Sequence, residues 1–140
     1  MPHEEAKIKL FTIQEANALL PQVHSALKTL RELRAVILRT QAQIEIEEMT
    51  GADSNGRLTE TAQSTIEKCM VKFQNQTSQF EENLGILLGL GAHLKDLDLG
   101  LVDFYTRRDS EIVFLCWKEG EAQIRHWHTP REGYKNRKPL

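Results

Sequence analysis

Apolar residues along the chain recur with two different periods, one typical of helices and the other of strands. Between residues 22 and 49 they recur three, four or seven positions apart with charged residues between them, which predicts an amphipathic helix. Steps of four and three continue in a second segment, through Ala62, Ile66, Met70, Phe73, Thr77, Phe80, Leu84 and Leu87. A polar, glycine-containing stretch at 50–57 separates the two segments. Residues 12–49 and 58–90 are therefore predicted to form a long, antiparallel, coiled-coil-like helical hairpin.

The start of the first helix is marked by a capping box. Thr12 and Glu15 have the spacing at which a hydroxyl and a carboxylate each accept a hydrogen bond from the other residue's backbone N–H. Pro21 lacks the N–H that a helix interior requires, so we expect a short helix over 13–20 followed by a second, longer one. Residues 1–10 are charged with a few alternating apolar positions, and they predict an arm or a short edge strand.

After Gly91, which is well placed for a left-handed helix C-cap, the apolar period changes to two. Three strand-like runs at 99–106, 111–117 and 122–127 are separated by turns at 109–110 and 119–120. The predicted fold class is therefore α+β, in a single domain spanning 1–140. In that domain the helical hairpin is followed by a three-stranded antiparallel β meander at 95–128 and a basic tail at 129–140.

The two turns fix which residues face each other across the meander. The first turn places Asp103 opposite Cys116. It also places Phe104 opposite Leu115, which the second turn pairs with Ile124. One face is then apolar and suited to packing on the helices. The other face is half polar and half aromatic, a mixture that contact with solvent does not require, and it carries Asp103, Tyr105, Phe114, Cys116, Arg125 and Trp127.

Charge and composition exclude several classes of function. The formal net charge of -2 argues against a nucleic-acid coat or an acidic-lipid binder, because both usually carry a strong basic excess. The basic tail holds four positive charges interrupted by Glu132, which is a weak phosphate-binding signal, so nucleic-acid binding is not favoured. No apolar run approaches the roughly 20 residues of a membrane span. Two cysteines without a CxxC spacing predict a reducing, cytoplasmic setting rather than a disulfide framework.

The chain resembles an uncharacterised prokaryotic family, domain of unknown function 2203. The resemblance lies in the opening LFTIQEANALLP, the runs KDLDLGLVDF and LCWKEGE, and the WH that precedes EGY and a C-terminal arginine. It implies no established activity. The family's motif falls on Lys95, Asp96, Asp98, Gly100, Asp103, Phe104, Cys116, Trp117, Gly120, Glu121, Trp127, His128, Gly133 and Arg137. The sequence departs from the pattern at Tyr105 and Ala122, where proline is usual, and at Ser110, where glycine is usual.

Cys116, His126 and His128 are the candidate metal ligands, because thiolate and imidazole groups both bind zinc and related divalent metals. The two histidines lie two apart on a predicted strand and so share a face. The predicted pairing puts Cys116 on the opposite face from His126, which weakens the interpretation. The alternative is structural: Cys116 packs as a small buried hydrophobe, and His128 ends the strand with a hydrogen bond.

Ligand binding is predicted at a set of charged residues on or near the meander: Lys95, Asp96, Asp98, Asp103, Glu121 and Arg137. The aspartates are equally suited to a polar network that fixes the junction of helix and sheet. The sequence contains no GxSxG, P-loop, HExxH or glycine-rich dinucleotide motif, and we therefore favour a protein that is not an enzyme.

The predicted function is that of a binding or scaffold module which acts through self-association, as a dimer, or through a protein partner. Each helical arm is longer than a 140-residue globule needs. Polar residues in the helical pattern, Gln41, Gln76 and Thr77, suit an exchangeable contact better than a dry seam. The alternative is that both helical arms bury their seams within the monomer. A second candidate function is a metal or small-ligand site formed by Asp103, Cys116, Glu121 and His128.

Overall fold

A computed structural model describes residues 8–140 and confirms the α+β class: two long helices pack against each other and are followed by an antiparallel sheet. The chain divides into two compact units, Lys28–Leu84 and a second unit that combines Gly85–Leu140 with the residues preceding Lys28. The elements are α1 (Ile13–Thr50), α2 (Glu60–Gly89), β1 (His93–Asp96), β2 (Leu101–Arg108), β3 (Glu111–Lys118), β4 (His126–His128), a 3₁₀ turn (Tyr134–Asn136) and β5 (Lys138–Pro139). Residues 1–7 of the predicted N-terminal arm lie outside the described residues.

Helix α1 begins as the capping box predicts but does not break at Pro21. The N–H of Glu15 donates to Oγ1 of Thr12 and the N–H of Thr12 donates to Oε1 of Glu15, both at 3.1 Å. The helix then continues through Pro21, so the predicted break is wrong. Proline in a helix interior costs about 3 kcal/mol. Leu20 and Val23 flank it and are 7% and 0% exposed, and burial of such side chains offsets that cost.

The unit Lys28–Leu84 is a helical hairpin with a seam of small and polar contacts. Leu30, Ala62 and Cys69 are buried in this unit. Met70, which the heptad pattern placed in the seam, is 51% exposed, and Cys69 takes its place one residue earlier. Thr40 is also buried, and its hydroxyl donates to Oε1 of Gln76 at 2.8 Å. The seam therefore contains a satisfied polar pair rather than an uninterrupted apolar stripe.

Within residues 8–140 the sheet has five antiparallel strands in chain order, two more than the predicted meander. The first addition is β1, in which His93 pairs with Asp103. The second is β5, which belongs to the predicted basic tail and pairs with β4. The register of β2 on β3 is as predicted, with Asp103 opposite Cys116 and Phe104 opposite Leu115 across the turn at 109–110.

Strand β4 pairs with β3 in a different register from the predicted one. Leu115 lies opposite Trp127 rather than Ile124, and Cys116 lies opposite His126. Partners that face each other across a sheet project to the same side. Cys116 and His126 therefore share a face, contrary to the prediction, whereas Trp127 moves to the face of Leu115. The connection from 119 to 125 is longer than a two-residue turn, which is why turn chemistry did not fix this register.

The apolar face of the sheet packs on the start of α1. The ring of Phe11 meets the ring of Phe104 edge to face, with centroids 5.3 Å apart. Backbone N–H of Phe11 donates to the carbonyl of Tyr105 at 2.8 Å, and backbone N–H of Ile124 donates to the side-chain oxygen of Asn17 at 2.8 Å. These contacts anchor one face of the sheet to the helix and leave the other for the candidate site. Over residues 8–140, no helix has the length and apolar content to cross a bilayer.

Candidate metal centre and its cavity

Strands β2, β3 and β4 bring three potential metal ligands together on the face opposite α1. Asp103, Cys116 and His128 each offer one ligand atom, and these atoms all lie within 4.8 Å of one another. Their exposed fractions are 2%, 1% and 3%. Asp103 and Cys116 are direct partners across β2 and β3, whereas His128 pairs with Phe114, one pleat away. The register of β4, which the sequence did not predict, completes the cluster.

The imidazole of His128 is held at both nitrogens. Nδ1 lies 2.8 Å from the carbonyl oxygen of Thr129, and because a carbonyl only accepts, Nδ1 carries a hydrogen. Nε2 lies 2.9 Å from Oδ2 of Asp103. The hydrogen bond on that side is made either by an imidazolium and a carboxylate or by a neutral imidazole and a carboxylic acid. In both arrangements one proton lies between Nε2 and Oδ2.

Burial shifts the titration of the two acidic members of the cluster. Burial raises the pKa of Asp103, although the neighbouring charges of His128 and Lys95 act in the opposite direction. Burial and the negative charge of Asp103 raise the pKa of the Cys116 thiol to about 12, against an opposing contribution from Arg137. The thiol is therefore protonated at neutral pH. Because neither nitrogen of His128 is available to take that proton, the cluster is not arranged as a cysteine–histidine nucleophile pair.

Glu121 and Arg137, two of the predicted ligand-binding residues, bind each other beside the three-residue cluster, and the guanidinium also contacts the Cys116 side chain. The guanidinium makes two hydrogen bonds to the carboxylate, at 3.0 and 2.8 Å. Backbone N–H of Lys118 also donates to Glu121, at 2.7 Å. Burial would raise the pKa of Glu121, but the hydrogen bonds from Arg137 and Lys118 outweigh it, so the pKa is lowered. This pair ties the C-terminal segment to the turn after β3.

The other predicted site residues lie around the cluster. Nδ1 of His126 is 3.8 Å from Glu121 and has no hydrogen-bond partner, although it is buried. Asp96 accepts a hydrogen bond from backbone N–H of Leu99 at 2.9 Å, as a structural cap does. Asp98 is exposed and is not among the residues that converge. Lys95 lies over the ring of Phe114, with Nζ 4.6 Å from the centroid.

A cavity of about 180 Å³ opens beside the three ligand atoms. Its walls include all three residues of the cluster and the predicted ligand-binding residue Lys95. The remaining lining comes from two other strand residues and from the C-terminal segment: Leu101, Phe114, Pro130, Glu132, Gly133 and Tyr134. No pattern in the sequence predicts that the C-terminal segment lies beside the cluster. That placement depends on β5, a strand of two residues that is too short to show a pattern.

Comparison with known proteins adds a family but no activity. No curated protein and no solved structure matches the chain significantly. A family model described as an uncharacterized conserved protein matches residues 9–140, which include every element of the sheet and both helices. The predicted resemblance is thereby confirmed, and the chain belongs to the family of domain of unknown function 2203.

Proposed function

We propose that this protein binds a divalent metal ion, with zinc as the first candidate, through Asp103, Cys116 and His128. The observation that supports the proposal is the convergence of carboxylate, thiol and imidazole within 4.8 Å, on three adjacent strands and at the wall of a cavity. Zinc accepts all three ligand types.

The dimensions of the cluster suit a tetrahedral ion. Bond lengths of about 2.0–2.3 Å to zinc place neighbouring ligand atoms roughly 3.3–3.7 Å apart. The 2.9 Å between Nε2 of His128 and Oδ2 of Asp103 would have to widen by about half an ångström, within the reach of side-chain rotation. Hydrogen bonding of Nδ1 to the Thr129 carbonyl leaves Nε2 to face the ion, which is the usual arrangement of a metal-bound histidine.

Charge balance also favours a divalent ion. Without metal, the shared proton and the thiol proton leave the three side chains neutral as a group. Binding would replace both protons with two positive charges on the ion, so the buried group stays neutral. Three protein ligands leave one tetrahedral position, and the adjacent cavity can supply a water molecule or a small ligand to it. Lys95 and Glu132 both line the cavity, so a ligand there would meet one positive and one negative side chain.

Titration of the chelator-treated protein with Co²⁺ tests this proposal. We expect one ion per chain, a near-ultraviolet band from cobalt–thiolate charge transfer, and release of about two protons per ion. The variant Cys116→Ser should lose the charge-transfer band. The matched control is His126→Ala, which removes an imidazole on the same face but outside the cluster, and it should bind normally. If the unmodified protein takes up no stoichiometric Co²⁺ or Zn²⁺, the cluster is structural and the proposal is wrong.

We also propose that the helical hairpin acts as a self-associating scaffold module. The specific observation is a set of large apolar side chains left exposed in the unit Lys28–Leu84: Leu38, Ile46, Met49, Met70 and Val71. Isolated exposed apolar residues are common, so the weight lies on Leu38, Ile46 and Met49, whose spacing places them on one face of α1. Sedimentation or light scattering from low to high micromolar concentration should show a concentration-dependent mass. A constant monomer mass would contradict self-association and leave the metal proposal untouched.

A further inference from the structure

We propose that residues 129–140 form a strap that closes over the metal-ligand cluster, with the ion pair of Arg137 and Glu121 as its latch. The strap is the part of the chain that follows β4, and it includes the 3₁₀ turn and β5. Its role as a gate for a metal ion rests on the proposed function. Its closure over Cys116 does not, because that closure is a property of the cavity wall itself.

The buried position of the cluster calls for an entry path. Asp103, Cys116 and His128 are only 2%, 1% and 3% exposed, so little of the ligand set faces solvent. A metal site needs an entry path as well as its ligands. The cavity beside the cluster is the approach to all three side chains. The strap contributes four residues to its wall: Pro130, Glu132, Gly133 and Tyr134.

The strap is the part of that wall with the least apolar anchoring. None of residues 129–140 is buried, whereas β2 and β3 each have a run of buried side chains. Both residues of β5 are exposed, and they pair with β4 at two positions. Segments with few buried apolar contacts open locally at a lower free energy than the core does. The strap can therefore open while β1 to β4 stay paired.

Polar and ring contacts hold the strap closed. The Arg137 guanidinium makes two hydrogen bonds to the Glu121 carboxylate, at 3.0 and 2.8 Å, which is the strong geometry for this pair. The same guanidinium lies 4.5 Å from the ring centroid of Tyr134, a residue of the cavity wall. At the end of the strap, backbone N–H of Leu140 donates to the carbonyl of Arg125 at 2.9 Å. Arg137 therefore joins the cavity wall to the turn after β3.

Contacts within the strap let it move as one piece. The Thr129 hydroxyl donates to Oε1 of Glu132 at 3.0 Å, and backbone N–H of Glu132 donates to the carbonyl of Thr129 at 3.1 Å. Nζ of Lys138 lies 3.5 Å from the same Oε1 of Glu132. Because these contacts link the start of the strap to β5, release of the latch at Arg137 affects the whole wall that the strap provides.

Alkylation of Cys116 by iodoacetamide in the chelator-treated protein tests the strap without metal. Mass spectrometry of the digested protein separates labelling at Cys116 from labelling at Cys69. Local opening of the strap exposes little surface, so the rate at Cys116 should depend only weakly on urea below the unfolding transition. A rate that rises with urea as steeply as the unfolding constant would show that Cys116 is reached only by unfolding of the fold, and it would overturn the proposal.

Two variants release the latch. Arg137→Gln and Glu121→Gln should each speed the labelling of Cys116 by about tenfold. The matched control is Arg131→Gln, which removes an exposed positive charge from the strap, leaves the latch in place and should keep the original rate. Burial raises the pKa of the Cys116 thiol and Arg137 opposes that rise, so loss of the guanidinium without opening would slow the labelling. Unchanged or slower labelling in both latch variants would overturn the proposal.

Transfer of Co²⁺ from the loaded protein to EDTA tests the strap as a gate. Both latch variants keep the three ligands, so they should retain the cobalt–thiolate band and release the ion about tenfold faster than the unmodified protein. Latch-dependent labelling of a protein that takes up no Co²⁺ would refute the metal proposal and support the strap. Uptake of Co²⁺ with labelling and release that do not respond to the latch variants would refute the strap and leave the metal site.

Discussion

Removal of the Asp103 carboxylate should destabilise the protein strongly, because it would leave a buried imidazole nitrogen without a partner. In Asp103→Ala, Nε2 of His128 loses its 2.9 Å hydrogen bond to the carboxylate, at a position where the imidazole is only 3% exposed. Removal of one member of a buried charged pair costs about 3–5 kcal/mol, and removal of one member of a neutral pair costs about 1–3 kcal/mol. For a chain of this length the larger loss corresponds to a fall in melting temperature of roughly 10–20 °C.

The variant Asp103→Asn separates loss of the hydrogen bond from loss of the charge. Its amide N–H can donate to Nε2 while Nδ1 of His128 still donates to the Thr129 carbonyl, so every hydrogen bond of the imidazole is retained. We expect a cost of about 1 kcal/mol for this variant. Neither variant should bind metal with the affinity of the unmodified protein.

Urea denaturation followed by tryptophan fluorescence measures these differences, with chelator present so that only the protein contacts contribute. The exposed substitution Glu111→Ala serves as a control and should change the free energy of unfolding by no more than about 0.5 kcal/mol. If Asp103→Ala and the control have the same stability, the buried pair contributes nothing to folding and the prediction is wrong. If Asp103→Asn is as destabilised as Asp103→Ala, the ionic form of the pair is the one that matters.

Three further predictions concern other parts of the chain. The fold lowers the pKa of Glu121, so its ionised form adds stability at pH above its usual 4.5, and that contribution is lost as the pH falls through the lower folded-state value. Arg137→Gln should therefore lower the stability by about 2 kcal/mol at pH 7 and by much less near pH 3, as measured by thermal melts. In the hairpin seam, Thr40→Val removes the donor to Gln76 and should cost about 1 kcal/mol, whereas the apolar double variant with Gln76→Leu should recover it in urea melts. Gly91 has a φ of 92°, and Gly91→Ala should lower the melting temperature by several degrees.

Each of these predictions has an outcome that contradicts it. A destabilisation by Arg137→Gln that is the same at both pH values would show that its contact with Glu121 is not electrostatic in origin. If the double variant Thr40→Val/Gln76→Leu does not recover stability, the hydrogen bond between Thr40 and Gln76 contributes more to stability than the cost of burying its two polar groups. An unchanged melting curve for Gly91→Ala would mean that the chain after α2 relaxes at little cost.

The features that the sequence predicted correctly are those set by short-range chemistry. Thr12 and Glu15 cap α1 because two residues three apart satisfy each other's N–H groups without help from the rest of the chain. The pairing of Asp103 with Cys116 follows from a two-residue turn, which leaves only one register for the strands that it joins. The sequence alone therefore predicted that two of the three clustered ligands, Asp103 and Cys116, lie side by side.

The tertiary structure decided whatever depended on packing between distant segments. Helix α1 continues through Pro21 because the side chains on either side of it are buried, which local propensity does not register. Cys69 and Met70 are adjacent in α2, and only the packing of α2 on α1 determines which of the two side chains is buried.

The tertiary structure also decided the position of the third ligand, His128, and of the cavity wall. The loop between β3 and β4 is too long to fix the register of β4 or the position of the C-terminal segment. Both are therefore set by the contacts that β4 and β5 make in the sheet. By itself the sequence determined the two periods of the chain, its helix cap and its tight turn, because those depend on neighbouring residues. Only the folded sheet brought His128 to Asp103, because a single residue of register decides which side chains share a face.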